Sequence, residues 1–214
     1  LYYAEVGNSN LKPEKATQYD LGVTYTAKIC KTGIVTLKAD GYYNVVRDKI
    51  IAYPKGQQFR WTMLNLGKVH ITGVDFEAHG QMQISTVKAG LRLQYTYQRA
   101  VDVTDENDSY YKHQIPYIPK HSGSAIADIE WKALSFVYSF IYTGKRYNQQ
   151  ENIERNYMEP WYTSDCSISY SMPVKKTVLK ATFEVNNIFS QDYDVILNYP
   201  MPKRNYAISL SVQL

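Results

Sequence analysis

The sequence predicts an all-β fold, an antiparallel, up-and-down transmembrane β-barrel, and three observations predict it. Apolar and polar residues alternate with period two from Thr17 to Leu214, as in strands with one oily and one wet face. Many alternating runs reach ten residues or more, whereas soluble strands average about 5–6 residues and tilted membrane strands need about 9–11. Connections between runs are tight and long by turns. Outer-membrane barrels have this layout, with short periplasmic turns and long external loops.

In chain order, the first run puts Tyr19, Leu21, Val23, Tyr25 and Ile29 on one face. The second aligns Val35, Leu37, Ala39, Tyr43 and Val45, and the third Val74, Phe76, Ala78 and Met82. The fourth carries Val87, Ala89, Leu91, Leu93, Tyr95 and Tyr97, and the fifth Ala125, Ala127, Ile129 and Trp131. The sixth has Leu134, Phe136, Tyr138, Phe140 and Tyr142, and the seventh Tyr162, Ile168, Tyr170 and Met172. The eighth has Leu179, Ala181, Phe183 and Val185, and the last Tyr206, Ile208, Leu210, Val212 and Leu214. Tight connections fall at Lys28–Gly33, Gln83–Thr86, Trp131–Ala133 and Ser171–Lys175. Long ones fall at Arg47–Gly67, Ala100–His121, Gly144–Trp161 and Asn187–Arg204. The apolar face is expected to look to lipid and the charged face inward. An Arg or Lys facing lipid at the midplane costs about 2–4 kcal/mol. The competing architecture is a soluble β-sandwich with one wet face per sheet.

Composition narrows the function. Charged residues are 21% of 214, and the net charge is only +4 with no Lys/Arg run, so no footprint for nucleic acid is expected. Tyr is abundant, 21 against 6 Phe and 3 Trp, which suits half-wet interfaces. Tyr43, Tyr97, Tyr142, Tyr162 and Tyr206 near strand ends fit interfacial girdles. The mean hydropathy is −0.42, compatible with strands in which only every second residue is apolar. Cys30 and Cys166 read as isolated thiols. A chain that starts at Leu1, with no signal-like segment, reads as a fragment or a mature product.

Four stretches resemble TonB-dependent receptors, the plugged nutrient importers of Gram-negative outer membranes. Asn10-Leu11-Lys12-Pro13-Glu14 with Tyr19-Asp20-Leu21-Gly22 resembles the opening of a late barrel strand. Gly41-Tyr42-Tyr43-Asn44 with Asp48-Lys49-Ile50-Ile51 resembles a strand and its loop entry. Asn65-Leu66-Gly67 with Gly73-Val74-Asp75-Phe76-Glu77 is similar to the return strand. Val185-Asn186-Asn187-Ile188-Phe189 with Asp192-Tyr193, Pro202 and Arg204 is similar to the approach to the last strand. Lys203 departs from the usual Gly, and Leu214 from a frequent terminal Phe. The resemblance implies that residues 1–214 are about nine or ten C-terminal strands of a barrel of roughly 22. The plug domain is then absent from this chain. The implied setting is the outer membrane. The implied partners are its lipid, the plug and remaining strands of the same receptor, TonB through the missing N-terminal part, and a small-molecule or glycan ligand. Siderophore, haem, cobalamin or glycan are the cargo classes it implies, with no cofactor.

Candidate ligand contacts are aromatic and Arg residues of the long loops, a pairing that binds ligands well: Tyr53, Phe59, Arg60, Trp61, Tyr111, Tyr147, Arg155 and Trp161. The alternative is that these residues pack the loops together. Asp20, Lys38, Asp40, Asp75, Glu77, Arg92, Glu130 and Glu184 are expected to face the lumen and a plug. No catalytic motif is present. His113 and His121 share a loop and are the only candidates for a metal or for a rim protease of ten strands; a passive porin or adhesin is a further alternative. Asp102, Asp105, Glu106 and Asp108 crowd one loop without a turn glycine, so a solvated acidic loop is expected rather than a calcium site.

Overall fold

The computed structural model describes residues 8–55, 60–175 and 177–213. It contains one nine-stranded antiparallel sheet in which every strand pairs with its neighbours in sequence. Its strands are β1 (Lys15–Cys30), β2 (Gly33–Arg47), β3 (Lys68–Ile84), β4 (Val87–Asp102), β5 (His121–Trp131), β6 (Leu134–Thr143), β7 (Trp161–Val174), β8 (Thr177–Asn186) and β9 (Asn205–Gln213). Strands β1 and β9 form its two edges. The register is regular apart from one irregularity between Lys28 and Cys30, so each side chain's face follows from its parity.

The apolar parity lies on a face that no second layer of the described residues covers. Leu91 is 46% exposed, Phe136 43% and Leu210 81%; in a two-layer sandwich all three would be buried. Breaks in the alternation are locally satisfied. Ser164, on the apolar face, is buried and accepts a hydrogen bond from the Tyr138 hydroxyl at 2.9 Å. Aromatic pairs bridge strands on this face, Phe76 on Tyr95 and Phe183 on Tyr206, and such cross-strand pairs stabilise a sheet.

At one end the strands join through short turns, whose first residues Ser85, Lys132 and Lys175 take φ values of 55°, 54° and 55°. Positive φ there is the primed-turn geometry that matches strand twist. At the other end four long connections fold into a cap. They contain three small hairpins, Ile50–Lys55 with Arg60–Asn65, Arg146–Tyr147 with Tyr157–Met158, and Asp194–Ile196 with Tyr199–Pro200. The hydrophobic core of the described residues sits under this cap, on the inner face. Val46, Val69 and Ala100 point inward from β2, β3 and β4, and Ile115 of the second long loop packs onto them.

The cap and the inner face as candidate site

Hydrogen bonds between loops make the cap. The second loop (103–120) zips to the third (144–160). Gln114 N donates to Asn152 Oδ1 at 2.6 Å, Asn152 Nδ2 returns to Gln114 O at 3.0 Å, and Tyr117 N donates to Tyr147 O at 2.7 Å. Arg146, buried at 2% exposure, ties the third loop to the fourth (187–204). Its guanidinium donates to the carbonyls of Glu159, Asp194 and Val195. Burial pulls the Arg146 pKa below its ordinary value, and Tyr117 and Asp194 oppose that; the group stays charged. Asn187 (φ 50°) anchors the fourth loop, donating to Gln191 O and Pro202 O and accepting from Gln191 N.

Two cavities open within this cap. One, of about 340 Å³, is lined by Tyr157, Glu159, Trp161, Asp192 and Tyr193. The other, of about 630 Å³, lies among Ile115, Tyr117, Ile118, Arg146, Trp161 and Val195. Trp161 borders both. Its ring stacks on Tyr193 with centroids 4.5 Å apart. Its Nε1 is buried and has no hydrogen-bond partner among the described residues. Burial, then Asp165, raises the Tyr193 pKa, which keeps that phenol a neutral donor. The two walls therefore offer stacking surface, N–H and O–H donors and an enclosed cation.

The loop residues singled out in the sequence do not gather at one point. Trp161 lies between the two cavities. Tyr147 meets Tyr157 edge-on at 6.1 Å and serves the packing of its loop. Tyr111 donates to Glu106 at 3.2 Å and carries Lys112 over its ring. Arg155 is 80% exposed and pairs with Glu151 at 3.7 Å. Tyr53, Arg60 and Trp61 lie in the first hairpin, where Tyr53 is opposite Thr62 and Arg60 opposite Lys55; their side chains, and Phe59 entirely, lie outside the described residues. His113 bonds Gln150 O, while His121 starts β5 and bonds Tyr95, so the two histidines have separate partners. Sequence reasoning missed Tyr193 as a cavity wall; its contact is with Trp161, distant in sequence.

The inner face carries the charged set. Lys38 is opposite Glu77, with an ion pair of 3.6 Å, and Lys88 opposite Glu130, at 3.7 Å. Asp40 is opposite Asp75, Arg92 opposite His79, Asp20 opposite Tyr42, and Glu184 opposite Ser167. Asp75 Oδ1 is buried and has no partner among the described residues, a position that a further donor would satisfy.

A family model described as "TonB dependent receptor-like, beta-barrel" matches residues 1–188. The vitamin B12 transporter BtuB of Photobacterium profundum is 24% identical over 216 aligned residues, covering 96% of this chain and 31% of that protein. The solved ferric citrate transporter FecA is similar with a TM-score of 0.69 at 16% identity, over 94% of this chain and 31% of that one. BauA, the ferric preacinetobactin receptor of Acinetobacter baumannii, has a TM-score of 0.68 at 19% identity, over 94% and 30%. The chain thus spans about a third of the length of the relatives it matches.

Proposed function

From the chain's membership of the TonB-dependent receptor-like β-barrel family, an outer-membrane family, we propose that residues 1–214 are the C-terminal wall of a TonB-dependent importer. The whole receptor would be a barrel of roughly 22 strands closed around a plug. Its cargo would be a scarce nutrient of the siderophore, haem, cobalamin or glycan class. The observation that carries this reading is the sheet itself, with one bare oily face, one charged face, and a loop cap folded over the charged side. In lipid an open sheet edge is not tolerated, so β1 and β9 call for further strands of the same receptor. Inward-facing Asp20, Lys38, Asp40, Asp75, Glu77, Arg92, Glu130 and Glu184 would meet the plug, where charges need partners. Ligand would enter at the cap, with Trp161 and Tyr193 as its aromatic contacts.

The test is uptake by cells carrying the full-length receptor and lacking their own. One cargo from a panel of the four classes should accumulate, and accumulation should stop when TonB is deleted. Uptake that persists without TonB overturns the importer reading. Trp161→Ala should weaken cargo binding about tenfold, measured by titration on the purified receptor. The rim-protease alternative asked for an acidic residue paired with His113 or His121; among the described residues they bond Gln150 O and the Tyr95 hydroxyl and form no ion pair with a carboxylate.

A further inference from the structure

Along the nine strands, the outward-facing register positions hold no carboxylate. The Lys and Arg residues at such positions are Lys15, Arg47, Lys68 and Arg99, and all stand at the loop end of β1–β4. Lys15 is opposite Arg47, Arg47 opposite Lys68, and Arg99 is opposite Thr72, two outward steps along β3 from Lys68. Lys15, Arg47 and Arg99 are exposed and Lys68 is partly so. None of them forms an ion pair among the described residues, whereas inward-facing Lys38 and Lys88 do.

The same four strands carry an outward apolar groove of about 410 Å³, walled by Val23, Tyr25, Leu37, Phe76, Leu93 and Tyr95. It deepens over small Ala39, which is paired with Val23 and Phe76. Ala39 lies eight residues from Arg47 on β2, about 26 Å along the strand and about 20 Å along the membrane normal at a tilt near 40°. A chain anchored at the rim reaches that depth.

We propose that this face is a docking site for a phosphate-bearing lipid of the outer leaflet. Its phosphates would sit on Lys15, Arg47, Lys68 and Arg99, and an acyl chain would lie in the groove below. Charge complementarity selects that occupant. Arg binds phosphate bidentately and Lys as a point charge. The side chains stand at the depth where a cation next to lipid costs least. They face away from the inner surface, so imported cargo does not reach them. The site rests on the membrane placement of the sheet and not on the identity of any cargo.

The test uses the full-length receptor in phosphatidylcholine nanodiscs, with and without diphosphoryl lipid A, read by native mass spectrometry. Each cation near a charged surface contributes about a fivefold factor. K15Q/R47Q/K68Q/R99Q should therefore retain at least about a hundredfold less lipid than the parent, and R47Q/K68Q about 25-fold less if the quadruple variant does not fold. K31Q/K132Q/K175Q, at the turn end, should retain it fully. Heat-modifiable gel mobility reports the folded barrel in each case. Equal retention by folded parent and variant overturns the site. Equal retention of dephosphorylated lipid, or equal stabilisation by inorganic phosphate alone, overturns it too. Retained lipid in a receptor that imports nothing upholds the site while the importer reading falls.

Discussion

Glu14 stands just before β1 and holds the base of the first loop. Its Oε1 accepts from Lys49 Nζ at 2.9 Å and from Ile50 N at 2.5 Å. The Lys49 hydrogen bond holds its pKa below the ordinary carboxyl value of 4.5, against partial burial that pushes it up, and the Ile50 N–H adds to the lowering. A depressed folded-state pKa means that the stabilisation is present above the unfolded value and is lost as pH falls through the folded one. The protection of the Ile50 amide against hydrogen exchange, relative to its intrinsic rate, should therefore fall as the pH drops below the ordinary carboxyl value of 4.5. Glu14→Gln should abolish that dependence and cost at most about 1 kcal/mol, as for a partly exposed pair. At the opposite end of the chain, Asn187→Ala removes the hydrogen bonds of a buried side chain and leaves a non-Gly residue without Asn's tolerance of positive φ. About 2 kcal/mol of local stability should be lost, read as faster proteolysis between 187 and 204. Both residues belong to stretches whose order in the sequence pointed to the family. Their physical work was not legible there. Asn65 donates to Lys12 O and Asp48 O and accepts from Lys12 N, so three of those stretches are tied together across gaps that no local pattern spans.

At the scale of the element, period two carried the assignment. All nine strands and both kinds of connection can be read from alternation because lipid on one side and water on the other impose it along the whole strand. The turns were readable by length and not by chemistry, since Ser85, Lys132 and Lys175 occupy positions where Gly or Asn is the usual signal. Lys132 at φ 54° carries a left-handed cost of about 1 kcal/mol that Asn or Gly escapes. Lys132→Asn should raise stability by up to about 1 kcal/mol in urea unfolding, and no change would mean that the turn relaxes otherwise. Gly73 shows the reverse constraint. The Tyr42 ring lies over it, and a Cβ there would stand 2.7 Å from Tyr97 O, a backbone atom. Gly73→Ala should shift the β3–β4 pairing and cost about 1–3 kcal/mol, measured by the same unfolding. The hairpins inside the loops and the partners of the loop aromatics escaped the sequence for a different reason. Trp161 meets Tyr193, and Arg146 meets Asp194, through contacts set by how loops fold together, where no periodicity operates.

The whole sheet follows from which solvent each face meets, and neighbouring residues of one strand put that to a direct test. Phe136 points outward from β6, 43% exposed, opposite Ile129 and Ile168. Ser135 points inward, opposite Glu130 and Ser169. Their positions along the strand are almost the same, so depth and strand pairing are matched and only the face differs. In a lipid bilayer Phe136→Arg places a cation against acyl chains, at about 2–4 kcal/mol near the midplane and less toward the interface. Ser135→Arg places it beside Glu130 in water or against polar groups, at a cost near zero. Urea unfolding of the full-length receptor in phosphatidylcholine vesicles should show the outward variant destabilised by about 2 kcal/mol or more relative to the inward one. Transfer to detergent, whose micelle yields around a charged side chain, should narrow the gap. Equal effects of the two substitutions in vesicles would mean that both faces meet the same solvent. The alternation that defines this protein would then have to be explained by packing between layers, for which Leu91, Phe136 and Leu210 have no covering partner in the sheet.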